Sequence, residues 1–379
     1  CSDNDKCREI GESYLLRVLT VGGKRMGLYY FWPWISDKGT IGSEMILSPI
    51  GGSTSYQDDA GTMDSSIIDA QQDSTVDSSV PDTAPTDAGI ELYADNVANI
   101  DHLAASNGRV FFSGTIQSGA EETACIGTVS SKGSFASFVA KNVQNVSALV
   151  ADDEGSVFWA YPDSSTYLIQ GWDSNQFVVP QTLAQSIDKV ASLAIHNGYL
   201  YWTAGRAVRR INSKGGAVED LYSETSSTAY GVMAIDTEGT GAWISEIASG
   251  NESSISHLQF SPPVMTAGGK VAGPIGLLAS SGGLFVRDSA GIQQVSTQNW
   301  QALGTWPVQG TNGSIASDAS SVYVVSQGTG IVAISKAGSG AKTYISSPSI
   351  TSIAVDTTKL YWAEGTKPAQ IKVAQQATW

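Results

Sequence analysis

The chain has 379 residues, 41% of them apolar and 15% charged, which is enough apolar material for one large domain or two ordinary ones and too much for a disordered chain. A formal net charge of -15 argues against nucleic acid as a partner, because neutralising phosphates takes a basic surface. Forty glycines and no long amphipathic helical pattern exclude a helix bundle and favour an all-β protein with tight turns, and no apolar run reaches the roughly eighteen residues that a membrane-spanning helix needs.

In chain order, the first feature is Cys1. One reading makes it the lipid attachment site of a mature bacterial lipoprotein; the other makes the chain a fragment that starts there. Three cysteines cannot all pair within the chain, Cys125 lies in an apolar alternation that marks a small buried side chain, and no Cys/His spacing fits zinc. Neither a metal nor a cofactor is expected. Within residues 1-56, "LLRVLTVGG", "GLYYFW" and "SEMILSPIGG" imitate three successive strands, as a cap or a vestigial repeat would. Residues 57-88 hold eight aspartates and no lysine or arginine. Such a stretch has too little apolar surface to offset the entropy of ordering and reads as an acidic low-complexity linker.

From residue 89 onward the sequence repeats. Seven segments, "HLAAS", "ALVAD", "SLAIH", "VMAID", "GLLAS", "SIASD" and "SIAVD", close at Ser106, Asp152, His196, Asp236, Ser280, Asp318 and Asp356. Five or six residues after each closing position comes a large apolar pair whose second members are Phe112, Trp159, Trp202, Trp243, Val286, Val324 and Trp362, spaced by 47, 43, 41, 43, 38 and 38 residues. Each unit continues with short alternating runs between Gly- or Ser-rich turns, the pattern of half-buried strands. Four strands per unit of about forty residues predicts an all-β, seven-bladed β-propeller of four-stranded antiparallel blades over residues 89-379. The last unit ends without a clear fourth strand, and the orphan stretch Gly89 to Asn96 is expected to supply it, the N-terminal strand closing the last blade and removing an open sheet edge.

In "YLYWTAGRAVRRINSKGG", Tyr201, Trp202, Thr203, Val208, Arg210 and Gly215 resemble the YWTD class of propeller repeats found in lipoprotein-receptor ectodomains and related bacterial propellers. Ala204 replaces the motif's aspartate, no unit carries all four letters, and seven units stand where that family has six. NHL-like repeats of extracytoplasmic bacterial propellers fit equally, and the acidic stalk behind Cys1 resembles those of bacterial surface lipoproteins. The resemblance implies a non-enzymatic, protein-binding propeller.

Repeated tryptophans at one strand position read as packing between sheets, whereas Trp172, Trp300 and Trp306 fall outside that column and are expected nearer the surface. The closing aspartates and His196 read as turn residues that satisfy backbone donors. Four places before each closing position stands a column of His102, Ala148, Ser192, Val232, Gly276, Ser314 and Ser352, expected to line the central channel, with Asp101 and His102 as its only candidate site. Loops leading into each blade and joining its second and third strands carry Tyr161, Asp163, Arg206, Tyr230, Glu246, Arg287, Asp288 and Glu364, a mixed-charge rim suited to polar recognition. No catalytic residue is assigned. The expected function is an extracytoplasmic recognition or scaffold module at the cell surface, in the periplasm or secreted, binding a protein or glycan of the envelope. The rivals are a lactonase-like hydrolase or lyase that uses His102 with rim carboxylates, and a structural subunit of a surface assembly.

Overall fold

The computed structural model describes residues 89-118, 121-173, 179-225, 229-247, 252-280, 283-310, 313-338, 340-365 and 367-377, together with the strands Arg8–Glu9, Arg17–Val21, Lys24–Ile35 and Ile41–Ser48. The chain divides into two compact units, Cys1–Val80 and Pro81–Trp379. In the first, Lys24–Ile35 pairs antiparallel with each of the other three strands. The acidic stretch 57-88 lies outside the described residues, as does Cys1.

In the second unit, Ala148–Ala151, Val157–Asp163, Thr166–Trp172 and Gln181–Ser186 form an antiparallel sheet in chain order, and four further such sheets follow over 190-223, 229-272, 276-307 and 315-346. A last sheet has seven strands. Its central strand, Glu91–Ser106, changes partner at Val97. The first half pairs with the C-terminal strand Ala369–Gln375, and the second half pairs with Arg109–Ser118. The strand starting at Glu91 therefore supplies the missing outer strand next to the C-terminus, as expected for Gly89 to Asn96. The first strands of successive sheets touch one another in turn, from the second half of Glu91–Ser106 round to Ile350–Val355 and back, so the sheets close a ring.

Alternation along the second strands explains the packing. In Tyr199–Ala204, Leu200, Trp202 and Ala204 pack with Phe158 and Ile169 of the preceding sheet, while Tyr201 packs with Tyr230 and Ile244 of the following one. Both faces are covered, so the strand is apolar at almost every place. Trp159, Trp202 and Trp362 are fully buried in this way, and Trp243 is half-buried against Trp300. Trp172 meets Phe111 edge-on, Trp300 covers Gly268 and Gly269 of the neighbouring sheet, and Trp306 stacks on Phe285. These three, all half-buried, are inter-sheet wedges rather than surface rings, Trp306 packing with Phe285 against Val322 and Val324 of the next sheet; Trp172 ends a third strand, Trp300 stands in a turn and Trp306 on an outer strand, places where sequence periodicity does not report contacts to the next sheet.

The turns after the first strands are held by their closing residues. Asn107-Gly108 and Asn197-Gly198 adopt the left-handed conformations that a tight hairpin needs. Elsewhere aspartate caps the turn. Asp318 Oδ1 accepts the N–H groups of Ser320 and Ser321, both at 2.7 Å, and Oδ2 accepts the Tyr323 hydroxyl at 2.6 Å. Asp356 repeats the pattern with Thr358, Lys359 and Tyr361 and also accepts Gly108 N–H at 3.0 Å, a bond across the ring closure. Beyond the last strand, Ala377 N–H donates to the Tyr323 hydroxyl at 2.7 Å, so the C-terminal residues lock onto the sheet of 315-346. Cys125 is buried, and burial pushes its thiol pKa up to about 12, which leaves it an inert core side chain.

Candidate functional site

The first strands begin around the axis of the ring, where they enclose a cavity of about 930 Å³. All seven members of the column from His102 to Ser352 line it. Its polar members are engaged with the next sheet. Ser352 Oγ accepts Leu103 N–H at 3.1 Å, Ser192 Oγ accepts Met233 N–H at 3.3 Å, and Ser314 Oγ accepts Ile353 N–H at 3.0 Å. His102 Nε2 lies 3.0 Å from the carbonyl oxygen of Val146, just ahead of the next sheet. A first strand has a free edge toward the axis, and these side chains satisfy part of it while tying neighbouring sheets together.

Where the column has glycine, another residue makes the tie. Gly276 pairs in register with Arg287, whose fully buried guanidinium donates to the carbonyls of Asp288 at 2.6 Å, Gly291 at 3.0 Å, Val308 at 2.9 Å and Gly310 at 2.9 Å. Arg287 thus clamps the loop after its own strand to the connection leading into the sheet of 315-346. Burial lowers its pKa, with the neighbouring Asp288 opposing that shift. Asp101, by contrast, keeps an exposed carboxylate at the cavity wall. Asn99 Nδ2 donates to it at 2.9 Å, and no salt bridge reaches it among the described residues.

The eight rim residues lie at this same end of the ring, and the structure divides them. Asp163 and Arg206 are exposed, Arg206 donating to Thr225 O at 3.2 Å, and Tyr161 is half-buried with its hydroxyl pKa raised by burial and by Asp163. Glu246 accepts the hydroxyls of Ser254 and Ser256. Glu364 accepts Ser347 Oγ at 2.6 Å and Trp362 Nε1 at 3.2 Å, and pairs with Lys372 at 2.9 Å. Burial works against its charge, but these partners prevail and hold its carboxyl below the usual range. Tyr230, Arg287 and Asp288 are buried. Burial raises the Tyr230 hydroxyl well above its ordinary value, and Asp288 Oδ1 accepts Ala290 and Gly291 N–H, both at 2.8 Å. These three, expected on the surface, hold the loops in place instead. The reason is local: the last residues of the second strands still alternate between sheet faces, so a charged side chain there can be turned inward.

Two further rim residues are apolar and carry no polar signature in the sequence. Ile187, 85% exposed, stands in the loop leading into the sheet of 190-223, and Ile247, 53% exposed, ends the second strand of the next sheet. The basic run of the 190-223 sheet is neutralised on the outer strand, Arg209 by Asp220 and Arg210 by Glu219 at 2.7 Å, with Arg210 also over the Tyr199 ring. That leaves Arg206 as the exposed cation of that stretch at the cavity end.

Comparison with known proteins bears on the ring as a whole. No protein-family model matches the sequence, and no curated protein matches it significantly. Among solved structures it is similar to the WD40 domain of Toxoplasma gondii coronin, at 11% identity with a TM-score of 0.55, covering 76% of this chain and 86% of that one. It is also similar to the computationally designed Ika8 protein, at 12% identity with a TM-score of 0.50, covering 76% of this chain and all of the other. The ring is a β-propeller. Sequence identity this low establishes the fold and nothing of the ligand. Within a propeller, the cavity is the mouth of the axial channel, and the loops around it are the rim held by rigid sheets. Among the described residues its lining combines apolar walls, hydroxyls of Ser192, Ser314 and Ser352 already bonded to backbone, and the exposed carboxylate of Asp101.

Proposed function

We propose that this propeller is a recognition module that binds a protein partner through the rim around the channel mouth. Dividing the seven-stranded sheet at Val97 gives it seven blades, with degenerate YWTD-like or NHL-like repeats. One observation carries the functional reading. Tyr161, Asp163 and Arg206 share the cavity end of the ring with two exposed isoleucines, Ile187 and Ile247, the mixture of aromatic, apolar and charged side chains that protein interfaces use. A glycan platform is less favoured, because the tryptophans that would build one are wedged between blades. A hydrolytic reading has less support, because His102 is held by Val146 O and Arg287 by backbone carbonyls.

The topology orients the module. The propeller begins at Glu91, which pairs with Val373 at the end opposite the channel mouth. The first strand of the propeller therefore starts at the end opposite the rim. We place the module in an extracytoplasmic bacterial setting with Cys1 lipidated, the reading that the composition of the acidic stretch favours.

The test compares two ends of one molecule. The full chain, an Ile187→Asp/Arg206→Glu variant and a Phe135→Asp variant are used to capture proteins from envelope extract. Phe135 is 80% exposed in a turn at the opposite end. The expected result is a bound protein lost only with the rim variant. Equal capture by all three would overturn the proposal.

A further inference from the structure

We infer that the channel mouth takes one cationic side chain, a lysine or arginine carried by the protein partner, with Asp101 as its counter-charge; this rests on the reading of the rim as a protein-binding surface. The cavity of about 930 Å³ falls within the roughly 300–1,000 Å³ range of ligand pockets. Its charged and titratable lining among the described residues consists of Asp101 and His102. The His102 ring is engaged with Val146 O, and the nearby Arg287 guanidinium is spent on carbonyls. Among the described residues that line the cavity, an anion would find no lysine or arginine.

A metal ion is equally ill served, since no group of three His, Cys, Asp or Glu side chains converges among the described residues. A long cationic side chain meets both properties of the site. Its methylene stem has the apolar part of the axis-facing column beside it, Ala148, Val232 and Gly276, while its head reaches the carboxylate. The carboxylate is half-engaged by Asn99, which fixes its place and leaves acceptor capacity on the other oxygen. Low-dielectric walls focus the field of this single charge into the mouth.

The probes are Nα-acetylarginine amide and, as the neutral isostere, Nα-acetylcitrulline amide, titrated by ligand-observed NMR into the full chain and into Asp101→Asn and Asp153→Asn variants. The arginine probe should saturate the wild type with a Kd on the order of millimolar, bind about five- to tenfold more weakly to Asp101→Asn, and keep its affinity for Asp153→Asn, an exposed carboxylate at the opposite end of the ring. Citrulline should not saturate. Equal binding of the two probes, unchanged affinity in Asp101→Asn, or no saturation of the wild type would each overturn the inference. The rim reading fails separately. No probe binding with partner capture lost only in the rim variant removes the cation site and leaves the rim; an Asp101-dependent probe site with capture equal in all variants removes the rim and leaves a small-cation site.

Discussion

The two ends of the propeller use aspartate differently. At the turn end, Asp318 accepts two backbone N–H groups and Asp356 three, each with a tyrosine hydroxyl as well, and Asp236 accepts Thr240 N–H and faces His257 Nε2 at 3.0 Å. At the mouth, Asp101 accepts one amide and Asp163 is exposed. One residue type caps turns at both ends, as Asp288 does at the mouth, and stays a free charge at Asp101 and Asp163. What separates the roles is how many donors the local backbone brings to the carboxylate, because a carboxylate whose acceptor sites are filled has little left for a ligand. Arg287 shows the same rule for a cation: it stands at the mouth end, but four carbonyls within 3.0 Å occupy its two terminal nitrogens.

The largest effect should come from Arg287→Ala. It strands several buried carbonyls and a cavity, and should cost about 3–5 kcal/mol, read as a lower denaturant midpoint, with Arg287→Lys in between. An unchanged midpoint would mean that the clamp is replaceable and that Arg287 belongs with the free charges after all.

Next comes Asp356→Ala, which leaves Thr358, Lys359, Gly108 and Tyr361 without their acceptor and should cost about 2–4 kcal/mol. Burial opposes the charge of Asp356, yet these donors hold its carboxyl below the ordinary range. With a folded pKa below the unfolded one, its stabilisation is complete above the unfolded value of roughly 3.9 and is lost as pH falls through the folded one. Acid titration of the variant should therefore show a shallower loss of stability below about pH 4 than the wild type. Parallel acid limbs in the two proteins would contradict the capping role.

The smallest effect should come from Asp101→Asn and Asp163→Asn, each within about 0.5 kcal/mol of wild type in the same unfolding measurement. A loss comparable to that of Asp356→Ala at either place would erase the distinction between the ends.

Much of this contrast was readable in sequence, and the unreadable part has a specific cause. The closing aspartates were recognisable as caps because their donors lie two to five residues away, a local relation that short polar residues after a strand announce. The channel column was recognisable because strand alternation and the repeat together assign it one face. The bonds from Ser314 to Ile353 and from Ser352 to Leu103 span 39 and 249 residues, and no spacing rule reports them. Arg287 was misplaced for the same reason: its acceptors Val308 and Gly310 are 21 and 23 residues away, in a connection whose path depends on how two blades pack.

The strands, their grouping in fours and the completion of the last group by the strand at Glu91 are legible from residue order alone, because period-two alternation and turn residues are local consequences of backbone geometry and burial. Which polar side chains are spent and which remain open is set by the packing of the blades. That depends on carbonyls and N–H groups delivered by neighbouring blades, and the free charge at Asp101 is what is left when those bonds have been made.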